Sequence, residues 1–364
     1  MPKTRTSSNA PQEKKKEATI VQVANLAGVS FKTVSRVVNK ESGVKAKTRD
    51  KVIRAINKLN YQPTQSARIM RTKKSGILGL ITSAITHSGS DPGESGLSSI
   101  HIVRGVQQAC HELGLKLMIS DTDGDPNEIQ NLLQIFHSYQ VEGIIATADR
   151  LLKVDYPLNE ELSTILVNCF DDKGTPSLIP NDLQGQMLAT RYLIENNHRR
   201  IGFLGLPEDN IAYPIRKKGF IETCQKMGLN QSDYAYIPGG FIHTQSVFEK
   251  FDNQLETLIH STCKPTAIMF GNDIMALRGT RYFLNHSIKI PEQISMVGFD
   301  NDVRICMNLT PTLSTIMLPY YRMGYLSVYR LRDYQSLNRG EPEQVDCELI
   351  IRNSSKKTNL QQPL

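Results

Sequence analysis

Apolar positions between residues 19 and 60 recur at helical spacing in three groups. Ile20, Val23, Ala24 and Ala27 share one face, with Thr19 and Gln22 spaced as a capping box ahead of them and Gly28 behind. Ser30 is placed to cap a second helix, in which Val34, Val37 and Val38 face inward while Phe31, Lys32, Ser35 and Arg36 are left outward. Val52, Ala55, Ile56 and Leu59 follow the i, i+3, i+4, i+7 rule in a third helix that stops near Asn60 to Pro63. Pro63 can open another short helix over residues 64–71, but its few apolar positions predict a helix that forms only conditionally.

Beyond Ser75 the pattern changes. Short apolar runs (GILGLI, LKLMIS, VEGIIAT, TILVN, RIGFLGL, TAIMF, ISMVGF) alternate with amphipathic stretches such as Ile102 to Leu113, Ile129 to Tyr139, Met187 to Ile194 and Phe248 to Ile259. Alternation of this kind predicts βαβ units and mostly parallel sheets, and their extent implies two lobes. The stretch from His87 to Ser99, rich in Ser, Gly, Asp and Pro, reads as a long loop before a helix starting near Ser99. The polar segment after Ile351 is expected to fray, and residues 1–18 to form a disordered basic arm.

The formal charge of +7 conceals a division: residues 1–75 hold 18 Lys and Arg against 4 Asp and Glu, and the remainder holds 25 against 32. One end therefore suits a polyanion, nucleic acid or an anionic membrane surface, unless its lysines simply solvate a tail. Six singly scattered cysteines, with no CxxC pair and no secretory leader, read as buried thiols of a cytoplasmic protein. No run reaches the roughly twenty apolar residues of a membrane helix. No hydrolase elbow, HExxH, phosphate loop or dinucleotide fingerprint is found, so no enzymatic role, cofactor or metal is expected. The acidic DTDGDPNE at 121–128 lacks the last ligand and the flanking helices of an EF-hand, and reads as a strand-to-helix turn.

The segment TIVQVANLAGVSFKTVSRVVN combines a helix, a glycine-containing turn and a serine-capped second helix with polar side chains outward. This is how a helix enters the major groove by its N-terminal end. Together with KAKTRDKVIRAINKLNYQP it resembles the headpiece of the LacI/GalR family of bacterial regulators. RRIGFLGL, residues 215–220, AIMFGNDIMALRG, ISMVGFDN and LSTIMLPYYRMG resemble later landmarks, so the likeness covers roughly residues 19 to 350. The resemblance implies an all-α helix-turn-helix headpiece followed by an α/β two-lobed, periplasmic-binding-protein-like domain of two doubly wound parallel sheets. It places the headpiece at 19–62, a hinge helix and linker at 63–75, and an effector-binding and dimerisation domain at 76–350. The chain would cross between lobes near Pro180, Leu318 and Glu348, giving a first lobe of about 76–180 with 318–347 and a second of about 181–317 with 348–354. A polar tail would occupy 355–364.

Carried over by position, the resemblance puts major-groove contacts on Phe31, Lys32 and Arg36. Backbone contacts fall on Thr19, Ser30, Thr33, Ser35, Asn39 and Thr48. Arg36 can pair with guanine O6 and N7, Lys32 can donate to guanine or phosphate, and Phe31 can pack on a thymine methyl or else on its own headpiece. Ala67, Arg68, Met70 and Arg71 sit where family members approach the minor groove, with Met70 in place of a wedging leucine; a plain linker is the alternative. For a small effector, the resemblance points to Arg216, Asn272, Asp273 and Asp300 as groups that bind ligand or order the site. Tyr213 and Phe241 would supply an apolar face, Ser98 and Ser99 hydroxyls, and Asn168 stands where some sugar-responsive members have aspartate. Such a set suits vicinal hydroxyls, which both donate and accept. The reading is a cytoplasmic homodimeric repressor of double-stranded operator DNA with a sugar-like effector. Its rivals are a small-molecule binder with a vestigial headpiece, and an activator or partner-controlled regulator.

Overall fold

A computed structural model describes residues 18–39, 41–62, 74–82, 97–122, 125, 127–158, 162–240, 245–337 and 339–358, with the backbone alone for 97, 98 and 245–249. The chain divides into two compact units, Met1–Ser75 and Gly76–Leu364.

Among the described residues, the first unit is three helices around one small core. Helix α1 (Ile20–Ala27) starts at Thr19, whose side chain accepts from the Gln22 amide while the Gln22 side chain accepts from Thr19 N–H. It stops at Gly28, where φ is +65°, a left-handed conformation that costs glycine nothing and other residues 1–2 kcal/mol or so. Ser30 caps α2 (Phe31–Val38), and α3 (Ala46–Leu59) ends on Asn60, also left-handed. Val23, Ala24, Ala27, Val34, Val37, Val52, Ala55 and Tyr61 form the core. Small residues at these positions let three short helices approach closely, and their mutual burial stabilises helices too short to persist alone.

The second unit carries two six-stranded sheets. The first contains β1 (Ile77–Thr82), β2 (Lys116–Asp121), β3 (Ile144–Lys153), β4 (Thr164–Phe170), β5 (Ser177–Pro180) and β11 (Glu343–Val345), in the order β11-β5-β4-β3-β1-β2 and parallel throughout. Helices α4 (Leu97–Glu112) and α11 (Tyr320–Arg332) cover one face, through Ile102, Val106, Met323 and Val328. Helix α5 (Glu128–Ser138) covers the other, with Ile129, Leu133 and Phe136. Where α4 meets α11 the backbones touch. A Cβ on Gly105 would lie 2.0 Å from the Tyr321 carbonyl oxygen, and one on Gly324 2.1 Å from that of Ile102.

The second sheet joins β6 (Ile201–Gly205), β7 (Tyr234–Pro238), β8 (Ala267–Phe270), β9 (Ser295–Asp300), β10 (Ser314–Met317) and β12 (Glu348–Ile350) in the order β12-β10-β9-β8-β6-β7; only β12 runs antiparallel. Helices α6 (Asp182–Glu195), α7 (Ala212–Lys226), α8 (Gln245–Ile259) and α9 (Asp273–Asn285) flank it, with the short α10 (Val303–Cys306) beyond β9. The chain passes from the first sheet to the second between β5 and α6, returns between β10 and α11, and passes over again between β11 and β12. The first and third passages are stitched together: Asn181 N–H donates to the Val345 carbonyl, Asn181 Nδ2 to Asp346 Oδ1, and Gln184 exchanges hydrogen bonds with Cys347.

Two expectations need correction or refinement. Residues 352–358 do not fray. Ser354, Ser355 and Thr358 are buried: Ser354 Oγ donates to the Met296 carbonyl of β9, Ser355 Oγ to Ser314 Oγ of β10, and the Thr358 amide to the Asn196 carbonyl at the end of α6. The helix expected near Ser99 begins at Leu97, so Ser98 and Ser99 are helical. Around residue 125 the chain is a strand-to-helix turn, with Asp125 Oδ1 accepting from both nitrogens of Asn127. Among the described residues no group of His, Cys, Asp and Glu is arranged to hold a metal ion, and no helix is long and apolar enough to cross a membrane.

Candidate functional site

In the headpiece, local capping presents the start of α2. Ser30 Oγ accepts from the Thr33 amide at 3.2 Å and lies 3.0 Å from the Thr33 hydroxyl, which fixes the entry into the helix. With Val34 and Val37 buried, Lys32 and Arg36 stand in solvent, and Phe31 is 65% exposed. The Phe31 ring therefore does not pack into its own headpiece; it is an uncovered apolar group on the same helix as two cations. Thr33 and Ser35 are half-buried, and Asn39 closes the helix by donating from Nδ2 to the Ser35 carbonyl and hydroxyl. Thr19 and Thr48 lie at the starts of α1 and α3. No side chain caps α3, which leaves amides in its first turn open to a phosphate. Ala67, Arg68, Met70 and Arg71 lie outside the described residues.

In the second unit, Asn168, Asn272 and Asp300 lie at or just after the C-terminal ends of β4, β8 and β9, where ligands of open α/β sheets bind, while Tyr213 and Arg216 are on α7, Asp273 opens α9, and Ser98 and Ser99 are on α4. Arg216, on α7, is 5% exposed: its Nε donates to Asp182 Oδ1 at 2.7 Å, its Nη1 to the Gly271 carbonyl at 2.5 Å, and its guanidinium lies 3.6 Å from the centre of the Phe299 ring. Asp300 ends β9 with φ +122°, a backbone conformation that favours glycine, and its carboxyl stands near Arg216, Asp182 and Asp273. Burial first, then the Asp273 charge, raises its pKa well above the usual carboxylate range. Asn272 caps α9 by accepting from the Met275 amide through Oδ1.

Asp273 is turned inward. It is fully buried, and its oxygens accept from Thr315 Oγ1 (2.6 Å), the Asp302 amide (2.8 Å) and Cys306 Sγ (3.1 Å). Its place is to hold the segment after β9, not to touch a ligand. Tyr213 also lies in the core of the second lobe, 5% exposed and stacked on Phe203, because its ring fills the space left by Gly205. In the first sheet, Asn168 (φ +62°) is buried at the end of β4; its Nδ2 donates to the Ala148 carbonyl at 2.9 Å and its Oδ1 has no partner among the described residues. Ser99 Oγ donates to Asp149. The side chain of Ser98, and all of Phe241, lie outside the described structure.

Three residues of this region escaped the sequence reading. Asp182, the first residue of α6, pairs with Arg216; an acidic residue following the capping Asn181 was the available signal. Asp149 faces Ser99 from a bulged part of β3, which strand periodicity does not mark. Tyr320, at the second crossover, packs against the apolar clusters of both lobes with its phenol near Asp300 and Asp182.

Comparison with known proteins agrees with this geometry. Residues 19–64 match the family described as bacterial regulatory proteins, lacI family, and residues 190–355 match a periplasmic binding protein-like domain. The ribose operon repressor of Escherichia coli (strain K12) is 31% identical over 318 residues, spanning 85% of this chain and 91% of that protein. The chain belongs to the lacI family of bacterial regulatory proteins. Another lacI-family relative, the HTH-type transcriptional repressor PurR of Mannheimia succiniciproducens, is 27% identical and spans 93% of this chain and 99% of its own length. Among solved structures, a lac repressor dimer bound to operator and the anti-inducer ONPF superposes with a TM-score of 0.68 at 25% identity, covering 93% of this chain and 99% of that one. A putative LacI-family regulator from Rhizobium etli gives 0.67 at 29% identity, covering 78% and 100%. As a lacI-family chain it is a DNA-binding transcription regulator, and its curated relatives are repressors, not enzymes.

Proposed function

We propose that this regulator is a cytoplasmic repressor that binds a pseudo-palindromic operator as a homodimer, and that a sugar-like effector in the interlobe cleft alters its DNA affinity. The observation that carries the first part is α2 itself, whose apolar face is buried while Phe31 and Lys32 in its first turn and Arg36 in its last stand in solvent. A dimer is supported by large apolar side chains left uncovered on one lobe, Leu277, Leu284, Val303 and Met307, and by Ile100 and Tyr321 on the other. Closure of the lobes on effector would then change how two headpieces are presented to DNA. The effector reading is supported by the hydroxyl-matching set of Asp300, Asn272 and Asn168, and by relatives named as ribose operon repressors.

Selection from random duplexes, with and without a panel of sugars, tests the whole reading. A palindromic consensus whose recovery changes with one sugar is expected; no consensus at all would leave a small-molecule binder with an idle headpiece. On the selected operator, log affinity should fall steeply with log salt, as Lys and Arg of both heads displace counterions from several phosphates. Arg36→Ala should lose about 1 to 3 kcal/mol, roughly 5- to 150-fold, at one guanine. Changing Lys32 should alter the base preferred at one position. Equal weakening on every sequence in gel shifts would demote both to phosphate contacts.

A further inference from the structure

The three passages of the chain between the lobes are built differently. At the first, β5 ends on Pro180, opposite Val345 of β11. Proline has no N–H, so the bonds that follow come from the residues after it. Asn181 N–H donates to the Val345 carbonyl at 2.9 Å, and Asn181 Nδ2 to Asp346 Oδ1 at 2.8 Å. One turn on, Gln184 Oε1 accepts from the Cys347 amide at 2.9 Å while its Nε2 donates to the Cys347 carbonyl at 3.3 Å. A primary amide offers N–H beside a carbonyl, as a peptide unit does, so the Gln184 side chain continues the ladder past the point where the paired strands end. Asn181 serves twice, since its Oδ1 also caps α6 by accepting from the Gln184 amide. Gly185 leaves room for the two passages to close: a Cβ there would lie 3.1 Å from Cys347 Sγ.

The second passage, Leu318 to Tyr320, has nothing of this kind. Among the described residues no hydrogen bond joins it to the other two, and the Pro319 carbonyl accepts from the Met323 amide within α11. Tyr320 is held by apolar packing against the clusters of both lobes, which is non-directional and tolerates sliding. The first passage is instead anchored to the second sheet, because Asp182 accepts from Arg216 Nε and Arg216 Nη1 donates to the Gly271 carbonyl just after β8.

From this asymmetry we infer that Gln184 is the pin of the lobe hinge: its side-chain amide clamps the first and third passages into one ribbon that turns as a unit, and the second passage is the one that slides when the lobes change their separation. Glutamine is the residue the position requires. Glutamate could still accept from the Cys347 amide but would set a carboxylate oxygen against the Cys347 carbonyl, and leucine could make neither bond. The pin acts on whatever drives the lobes together, so it can be tested without an effector.

Two measurements on the full-length protein decide the matter, each made on wild type, Gln184→Leu and Gln184→Glu. The first is amide hydrogen exchange, read by mass spectrometry on peptides across the three passages. In wild type the Asn181 and Cys347 amides should exchange slowly and at a common rate, and those of Leu318 and Tyr320 faster. In Gln184→Leu both slow amides should speed up together by about tenfold, the worth of one hydrogen bond, while β3 and β8 keep their protection; Gln184→Glu should fall between. The second is the spread of distances between spin labels at Tyr139→Cys and Lys226→Cys, exposed positions on the two lobes, in dimers diluted with unlabelled chain. The native cysteines are buried, so the labels go to the introduced ones. That spread should widen in Gln184→Leu. Faster exchange at Cys347 alone with an unchanged spread overturns the inference, because Gln184 is then a local contact. So does wild-type exchange that is as fast at Asn181 and Cys347 as at Leu318 and Tyr320. If Gln184→Leu loses protection throughout, Gln184→Glu decides: a spread equal to that of wild type, with Asn181 still slow, overturns the pin.

Discussion

Asp182→Ala should destabilise the two-lobed unit by about 3 to 5 kcal/mol, because it leaves the buried Arg216 guanidinium without its carboxylate partner. Both side chains are nearly inaccessible, so water cannot take over the lost bond. The loss should also reach the effector, since Asp182 sits at the first crossover and fixes the guanidinium beside Asp300. Asp182→Asn keeps an acceptor for Nε and should cost clearly less. Replacing both partners with apolar residues, Asp182→Leu with Arg216→Met, should recover much of the stability but not the effector response. Urea denaturation of the four proteins measures this; a single-variant loss below about 1 kcal/mol would show that the pair is not an anchor.

The next largest effect should appear on acidification. His198 is buried, with Nδ1 2.9 Å from Thr266 Oγ1 and Nε2 3.0 Å from the Lys356 carbonyl, and burial pushes its pKa down to about 4. Lys356 O can only accept, so the neutral ring carries its proton on Nε2 and Nδ1 receives the Thr266 hydroxyl. The unfolded chain protonates this histidine near pH 6.5. The contribution is therefore complete above that pH and is lost as pH falls toward 4, by up to about 3 kcal/mol. Asp273, raised to about 6 mainly by burial, acts in the opposite sense: the folded state takes up its proton first, so it adds stability as pH falls through 6. Asp300, raised by burial and by Asp273, acts in the same sense as Asp273, and the wild-type curve mixes all three. The difference between wild type and His198→Gln isolates the histidine, and that difference should shrink between pH 6.5 and 4; a constant difference would mean that His198 keeps an ordinary pKa.

The headpiece was legible because everything that shapes it is local. Thr19 and Gln22, Ser30 and Thr33, and the valine spacing lie within one or two helical turns of what they control. The strands that lie in unbroken apolar runs were equally plain, even the short β6 and β8, whereas β5, β7, β10, β11 and β12 were not singled out: each has three to five residues and is bounded or interrupted by polar residues or proline, as in SLIP, YAYIP, STIM, EQV and ELI. The cleft was legible only as a list of polar residues. Its actual roles depend on contacts between distant positions, such as Arg216 with Asp182 and Asp273 with Thr315, which no spacing rule reveals. The same cause explains Tyr213, an aromatic drawn into the core by Gly205, and the serines of the C-terminal segment, polar in composition yet buried by bonds to the ends of β9 and β10.

The glycine contact between α4 and α11 has a bearing on how a nascent chain matures. The first lobe begins at Ile77, but the helix that meets α4 backbone to backbone, and the edge strand β11, emerge only after residue 319. The second lobe waits still longer, for β12 and for Ser354 and Ser355. While the ribosome is still making the last tenth of the chain, neither lobe has all its layers, whereas the headpiece has long since had every residue it needs. A polypeptide cut short near residue 340 thus holds every residue of the headpiece core joined to a body that lacks layers of both lobes.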